Sequence, residues 1–314
     1  MTGRSSGTSP ACRSGHLDPS DSGATGDARC VLVSDLHGDT DKYELLFSFL
    51  SHDPPDALFF AGDLLPQPGS DPGGLGFDGV DFVNRFLVRR LTELRRSLGE
   101  RYPDVFVILG NDDVRFEEGS IFIGSTEKIW TYIHGRCTRL NGRAVYGYSC
   151  IPPSPFRLKD WERYDVSRYV DPGCVSPEEG VLTVPVSARD RRHTTITSEL
   201  ASLIGDDDVS EAIFLFHVPP YDTALDTADL DGKTVDGVPL DSHIGSVAVR
   251  RMIEERQPYI TLHGHVHESY DLTRTFVEKI GRTWCISSAH QGRSLVLVDF
   301  TISDPGAAKR RVLG

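Results

Sequence analysis

The apolar run Cys30-Val31-Leu32-Val33 breaks off into Ser34-Asp35-Leu36-His37-Gly38-Asp39, where an aspartate and a histidine stand two residues apart. Such a run fits a strand buried on both faces, and Gly38 with the Asp39-Thr40 pair supplies the turn and N-cap signals of a following helix. Asp35 and His37 are therefore expected at the carboxyl end of a strand, the edge at which open α/β sheets place ligands. In extended chain the two side chains would point the same way, since side-chain direction repeats every two residues. Oxygen beside an imidazole nitrogen suits a borderline divalent metal. The pair alone decides nothing, because a strand-end Asp is commonly a helix cap and a neighbouring His a hydrogen-bonded loop residue.

The same grammar recurs along the chain. Asp41 to Leu50 carries Leu45, Leu46, Phe49 and Leu50 at helical spacing, one apolar face that should lie on a sheet. Ala57 to Ala61 stops at Gly62-Asp63, and Val105 to Leu109 stops at Gly110-Asn111-Asp112-Asp113. Val80 to Leu98 has helical periodicity between them. The strand Ala212 to Phe216 ends at His217-Val218-Pro219-Pro220 after a capped helix, Thr195 to Ile204. A helix opening at Ser246 leads to Tyr259 to Leu262, which runs into His263-Gly264-His265-Val266-His267.

Other stretches carry less. Residues 66 to 79, with three prolines and five glycines, read as a loop. Asn141-Gly142 is a two-residue hairpin signal. Residues 152 to 192 are rich in Pro, Asp and Arg and read as an irregular insertion, either a cover for the site or a plain surface excursion. Thr275 to Ile280, Thr283 to Ile286 and Leu295 to Phe300 read as closing antiparallel strands.

Composition limits the function. Of 314 residues, 39% are hydrophobic and 25% charged, which suits one large α/β domain with insertions or two small ones. The formal charge of -13 opposes a surface that grips phosphate backbones, so a nucleic-acid polymer is an unlikely partner. Six cysteines contain no Cys-x-x-Cys pair, which leaves a reduced cytoplasmic protein as the default. Residues 1 to 28 are polar and glycine-rich, a disordered tail with no apolar h-region, and no stretch reaches the roughly 18 apolar residues of a membrane span.

Together Asp35-x-His37, Gly62-Asp63, Gly110-Asn111-Asp112, His217 and Gly264-His265-x-His267 resemble the ligand blocks of the calcineurin-like metallophosphoesterase superfamily, in its order and over about residues 30 to 300. The stretches His217 to Thr223 and Asp241 to Ser246 are similar to a prokaryotic branch of it. The resemblance implies an α/β (α+β) fold, a four-layer αββα sandwich of two mixed β-sheets, over residues 29 to 314. It implies two divalent metal ions (Mn, Fe or Zn): Asp35, His37 and His267 on one, Asn111, His217 and His265 on the other, and Asp63 bridging. The implied reaction is hydrolysis of a small phosphoester, a phosphodiester in first place, by a hydroxide bridging the metals.

One departure bears on the acid. Many members have histidine after Gly-Asn, whereas here Asp112 follows, so Asp112 joins Asp63 as a catalytic candidate while being expected to donate protons poorly. The Asn-Pro-Gly-Ser segment of the family is replaced by Ser287-Ser288-Ala289-His290. His243 and His290 are secondary candidates for substrate contact; for them and for His263 a structural or surface place is the ordinary role. A non-catalytic metal-binding interaction module and a mononuclear protein are the alternatives. Oligomeric state is open.

Overall fold

The computed structural model of the chain describes residues 27–67 and 81–314. Most of the expected tail and loop 66–79 lie outside them. The end of that tail does not: the Ile302 amide donates to the Ala28 carbonyl at 3.0 Å and the Ser303 amide to Asp27 Oδ1 at 3.1 Å.

The strands are β1 (Arg29–Val33), β2 (Ala57–Ala61), β3 (Asp104–Ile108), β4 (Thr131–Tyr132), β5 (Arg136–Leu140), β6 (Arg143–Tyr148), β7 (Ile213–Phe216), β8 (Thr234–Val235), β9 (Val238–Pro239), β10 (Ile260–His263), β11 (Val277–Ile280), β12 (Thr283–Ser287), β13 (Leu295–Thr301) and β14 (Lys309–Leu313). The helices are α1 (Thr40–His52), α2 (Arg89–Leu98), α3 (Glu118–Thr126), α4 (Ala188–His193), α5 (Ile196–Ile204), α6 (Val247–Arg256) and α7 (Ser269–Thr273).

Two mixed six-stranded sheets result, ordered β14-β13-β1-β2-β3-β4 and β11-β12-β10-β7-β6-β5. Their facing sides meet through Cys30, Leu32, Phe59, Phe106 and Ile108 on one and Val145, Ile213, Leu215, Ile260 and Leu262 on the other. The alternate residues Val31, Val33, Leu58 and Phe60 face outward onto Tyr43, Leu46 and Leu50 of α1 and Leu91 and Leu94 of α2, while Tyr146, Phe214 and Phe216 meet Leu200 and Leu203 of α5 and Val249 and Ile253 of α6. With both faces covered, alternation loses its polar half, which is why the central strands are unbroken apolar runs. This is the four-layer αββα sandwich expected from the resemblance. Each fully buried aliphatic or aromatic side chain contributes about 1.5–3 kcal/mol.

Asp39 caps α1, accepting from the amides of Asp41 and Lys42, and the Asn141-Gly142 turn has both residues at positive φ, 47° and 81°, as a two-residue hairpin requires. Two readings are corrected, and one strand was missed. The closing strands do not form one antiparallel unit: β12 pairs parallel with β10, whereas β13 crosses to the other sheet and runs antiparallel to β1. A further strand, β14, follows; its Lys309-Arg310-Arg311 run hides it among charged loops, yet charge is ordinary on an edge strand. The segment 152–192 is irregular but no mere surface excursion, since Trp161 is fully buried and a Lys159–Glu162 ion pair lies inside it.

Candidate metal centre

The loops after β1 and β2 run side by side. The amide of Asp35 donates to the Gly62 carbonyl at 3.0 Å, that of His37 to Asp63 at 2.8 Å and that of Gly38 to Leu64 at 2.9 Å. To make this turn Asp35, His37 and Asp63 take positive φ, 58°, 46° and 53°. Asp35 and His37 therefore do not lie in extended chain, and their convergence comes from a left-handed turn instead. Such backbone costs on the order of 1–3 kcal/mol per residue and persists only where surroundings enforce it. His265 adds φ 75°.

Seven side chains gather there. Potential ligand atoms of Asp35, His37, Asp63 and His267 lie within 4.8 Å of one another, as do those of Asp63, His217 and His265, so Asp63 belongs to both sets. Asn111 Oδ1 stands 3.0 Å from His217 Nε2, which is 3.3 Å from Asp63 Oδ2. His217 Nδ1 donates to the Ala61 carbonyl at 2.7 Å, which leaves Nε2 directed into the site. His37 Nε2 and His267 Nε2 are 3.3 Å apart, and His267 Nε2 is 3.3 Å from Asp35 Oδ1. Acceptor lone pairs that face each other at this distance are stable only around a proton or a cation. The mix of imidazole, amide and carboxylate donors fits borderline divalent metals.

The electrostatics agree. Burial alone would lower the His217 imidazole, but the carboxylates of Asp63 and Asp35 outweigh it and carry it up to about 9. Burial would raise Asp63, and attraction to and a hydrogen bond with His217, with a lesser pull from His37, reverse that, holding it down at about 2. Asp35 falls well below the carboxylate range against its burial, through His267, His217 and His37. His265, buried and beside His217, drops to about 3. The site carboxylates are thus anionic and His265 neutral, forms that bind metal, and His217 would give up its Nε2 proton to a bound cation.

The Asp112 amide donates to Asp63 Oδ1 at 2.8 Å, and Asp112 Oδ1 accepts from Asn111 Nδ2 at 2.8 Å while Oδ2 accepts from Gln67 Nε2. Its carboxyl is pushed up by burial and by Asp63. His263 is structural: Nδ1 donates to the Val218 carbonyl at 2.9 Å and Nε2 faces Thr261 Oγ1 at 2.7 Å. His243 sits in the loop after His217, with Nδ1 2.8 Å from buried Asp226. His290 Nδ1 accepts from Arg310 Nη2 at 3.2 Å.

Sequence reasoning passed over Asp113. Its Oδ1 accepts from the amides of Leu64 at 2.9 Å and Leu65 at 2.7 Å, its Oδ2 from Gly110 at 2.8 Å, and so it ties the Asp63 loop to the Asn111 loop. The second acid of Asn111-Asp112-Asp113 was its only trace in the sequence.

A two-sheet sandwich with a cluster of potential metal ligands where its strands end fits a metal-dependent hydrolase. The sequence profile of the calcineurin-like phosphoesterase family matches residues 28–269. The chain belongs to that family and is a metal-dependent phosphoesterase. Its sequence finds no match among curated proteins. One crystal structure superimposes with a TM-score of 0.54 at 15% identity, over 92% of this chain and 100% of the other. TT1561 of Thermus thermophilus gives 0.49 at 15% identity, over 91% and 99%. The phosphopantetheinyl hydrolase PptH of Mycobacterium tuberculosis gives 0.49 at 14%, over 83% and 89%. At 15% identity the first of these likenesses is one of fold. Among the described residues no helix is long and apolar enough to cross a membrane.

Proposed function

We propose that the chain is a dinuclear phosphodiesterase acting on a small substrate in the cytoplasm. Asp35, His37 and His267 hold one divalent cation, Asn111, His217 and His265 the other, and Asp63 bridges. The observation that carries this is the sharing of Asp63 by both donor sets. A carboxylate suits a bridge because it has two oxygens and offsets the repulsion of two cations. When bound, such a pair supplies Lewis acidity towards phosphoryl oxygens and a hydroxide at neutral pH.

The chain's own residues do the rest. The Ala61 carbonyl fixes the tautomer of His217, the Asp112 carboxylate turns the Asn111 amide so that its oxygen faces His217, and Asp113 holds both loops in register. Preference for a diester over a phosphoprotein rests on the lack of a Gly-Asn-His-Glu pattern at Gly110 to Asp113. The charge of -13 favours small esters over polymers.

Metal analysis of the purified chain, alongside hydrolysis of bis(p-nitrophenyl) phosphate, tests the reading. About two ions per chain are expected. Asp63→Asn should bring the content below two and lower turnover by more than about 100-fold. One ion per chain with full activity would establish the mononuclear alternative.

A further inference from the structure

A cavity of about 540 Å³ opens between residues 184–194 on one side and the side chains of Arg115, Arg163 and Glu199 on the other. That volume falls within the range of about 300–1,000 Å³ typical of small-molecule sites. None of the candidate metal ligands lines it, so it stands apart from the centre. Val184, Pro185 and Val186 form an apolar wall, and Arg191 adds a third guanidinium to those of Arg115 and Arg163.

The carboxylates of this lining are largely occupied. Glu118 accepts from Tyr132 Oη at 2.9 Å and from Arg115 Nε at 3.2 Å. Glu199 accepts from Tyr148 Oη at 2.5 Å and faces Arg163 Nε at 3.5 Å. Asp190 Oδ2 accepts from Ser187 Oγ at 2.7 Å, so one oxygen of this exposed side chain stays open.

The guanidinium groups keep more in reserve. Arg115 uses Nε alone, and its guanidinium carbon lies 5.1 Å from the ring centroid of Trp161. Arg163 Nη1 donates to the Glu162 carbonyl at 2.8 Å. Arg191 donates through Nε and Nη2 to the Pro177 carbonyl at 3.2 and 3.0 Å, and through Nη2 to that of Glu178. Among the described residues no hydrogen-bond acceptor meets Arg115 Nη1 or Nη2, Arg163 Nη2 or Arg191 Nη1. The Arg163 side chain is only 13% exposed, which limits the water that could take an acceptor's place.

We propose that this cavity is a binding site, separate from the metal centre, for a small organic anion whose carboxylate or phosphate head pairs with Arg115 and Arg163 and whose apolar body lies on Val184, Pro185 and Val186. The planar fork of a guanidinium matches either head, and a charge-assisted bond to it is stronger than one between neutral groups. Arg191 closes the other side.

Calorimetric titration with three probes that share one benzyl body tests the proposal: benzylphosphonate, phenylacetate and benzylamine. The phosphonate has no ester bond at phosphorus to hydrolyse. At least one of the two anions should bind at one site per chain with a Kd of about 1 mM or below, and the tighter of the two names the head. Binding should survive in Asp63→Asn, which separates the cavity from the metal centre. Arg115→Gln and Arg163→Gln should each weaken it by about tenfold or more. Val186→Trp, which fills the cavity without altering a charge, should abolish it. Thermal melting identifies a variant that fails to fold, and if that is Arg163→Gln the other two decide. The site is overturned if neither anion binds saturably to Asp63→Asn, or if Arg115→Gln and Val186→Trp bind as the wild type does. Benzylamine binding as tightly as the anions would show that the carboxylates, not the arginines, face the ligand, and would overturn it too. Hydrolysis of bis(p-nitrophenyl) phosphate tests the phosphoesterase reading independently of every one of these results.

Discussion

The indole Nε1 of Trp161 donates to the Asp113 carbonyl at 2.7 Å. The irregular segment 152–192 is thereby fastened behind the loop that presents Asn111, while the carboxylate of the same Asp113 fastens that loop to the one presenting Asp63. Asp113→Asn should expose what this clamp contributes. Both carboxylate oxygens accept backbone N–H groups, so an amide would turn one donor against another inside a fully buried site. A loss of about 3 kcal/mol is expected, read as a melting temperature lower by roughly 5 °C or more. A melting temperature unchanged within about 1 °C, well short of the shift that this loss implies, would mean that the loops hold together without the clamp.

Gly110 shows how little room the centre leaves. A Cβ at this position would come within 2.3 Å of Asp63 Oδ1, 2.5 Å of Asp63 N and 2.7 Å of His217 Cε1. The nearest of these atoms belong to two proposed metal ligands and to backbone, which cannot swing aside as the end of a long side chain can. Gly110→Ala should therefore displace Asp63 from His217, lowering metal content and activity more than about tenfold while the sandwich core stays folded. Metal analysis and near-ultraviolet circular dichroism check it; full metal content with normal activity would show that the loops can separate at no cost.

His134 and His263 make stability depend on pH. Burial lowers both imidazoles to about 3, with nearby arginines adding to the effect at His134. Their unfolded value is about 6.5, so between pH 6.5 and 3 the unfolded chain binds more protons and stability falls as pH falls. Above pH 6.5 the contribution is fully present. At pH 5 each histidine should cost about 2 kcal/mol relative to pH 7. His263→Gln should flatten the slope of melting temperature between pH 7 and 5, and an identical slope in the variant would remove His263 as a source.

The strand ends were legible because β1, β2, β3, β7 and β10 are buried on both faces, which leaves apolar runs that stop abruptly at polar residues. What the runs could not convey was the path of the chain past those stops. Nothing in Asp35-Leu36-His37 announces two left-handed residues, since the turn is imposed by pairing with the Gly62 to Leu64 carbonyls, about 27 residues away in sequence. The crossing of β13 to the other sheet is likewise a long-range choice. Trp161 and Asp113 were hidden for a related reason: each acts through a partner almost fifty residues distant, beyond any local pattern. The Asn141-Gly142 hairpin, whose geometry is local, was fully readable.

Asp112 follows Gly110-Asn111, and its contacts are those of an acceptor. Both of its oxygens are acceptors, Oδ1 from Asn111 Nδ2 at 2.8 Å and Oδ2 from Gln67 Nε2. The first of these contacts directs Asn111 Oδ1 at His217 Nε2, 3.0 Å away. Burial and Asp63 push the carboxyl up, yet two N–H donors favour its charged form, and divalent cations at the centre would favour it further. A charged carboxylate has no proton to give. General acid catalysis is worth about 10²–10⁴-fold, and its loss falls on esters with basic leaving groups. Aryl esters should therefore be hydrolysed much faster than simple alkyl ones by the wild-type enzyme. Asp112→Asn keeps an acceptor oxygen for Asn111 and leaves untouched the backbone N–H that donates to Asp63, so rates on both ester types should stay within about tenfold. Selective loss of alkyl-ester hydrolysis in that variant, with aryl esters spared, would identify Asp112 as the proton donor and overturn its assignment as the residue that positions Asn111.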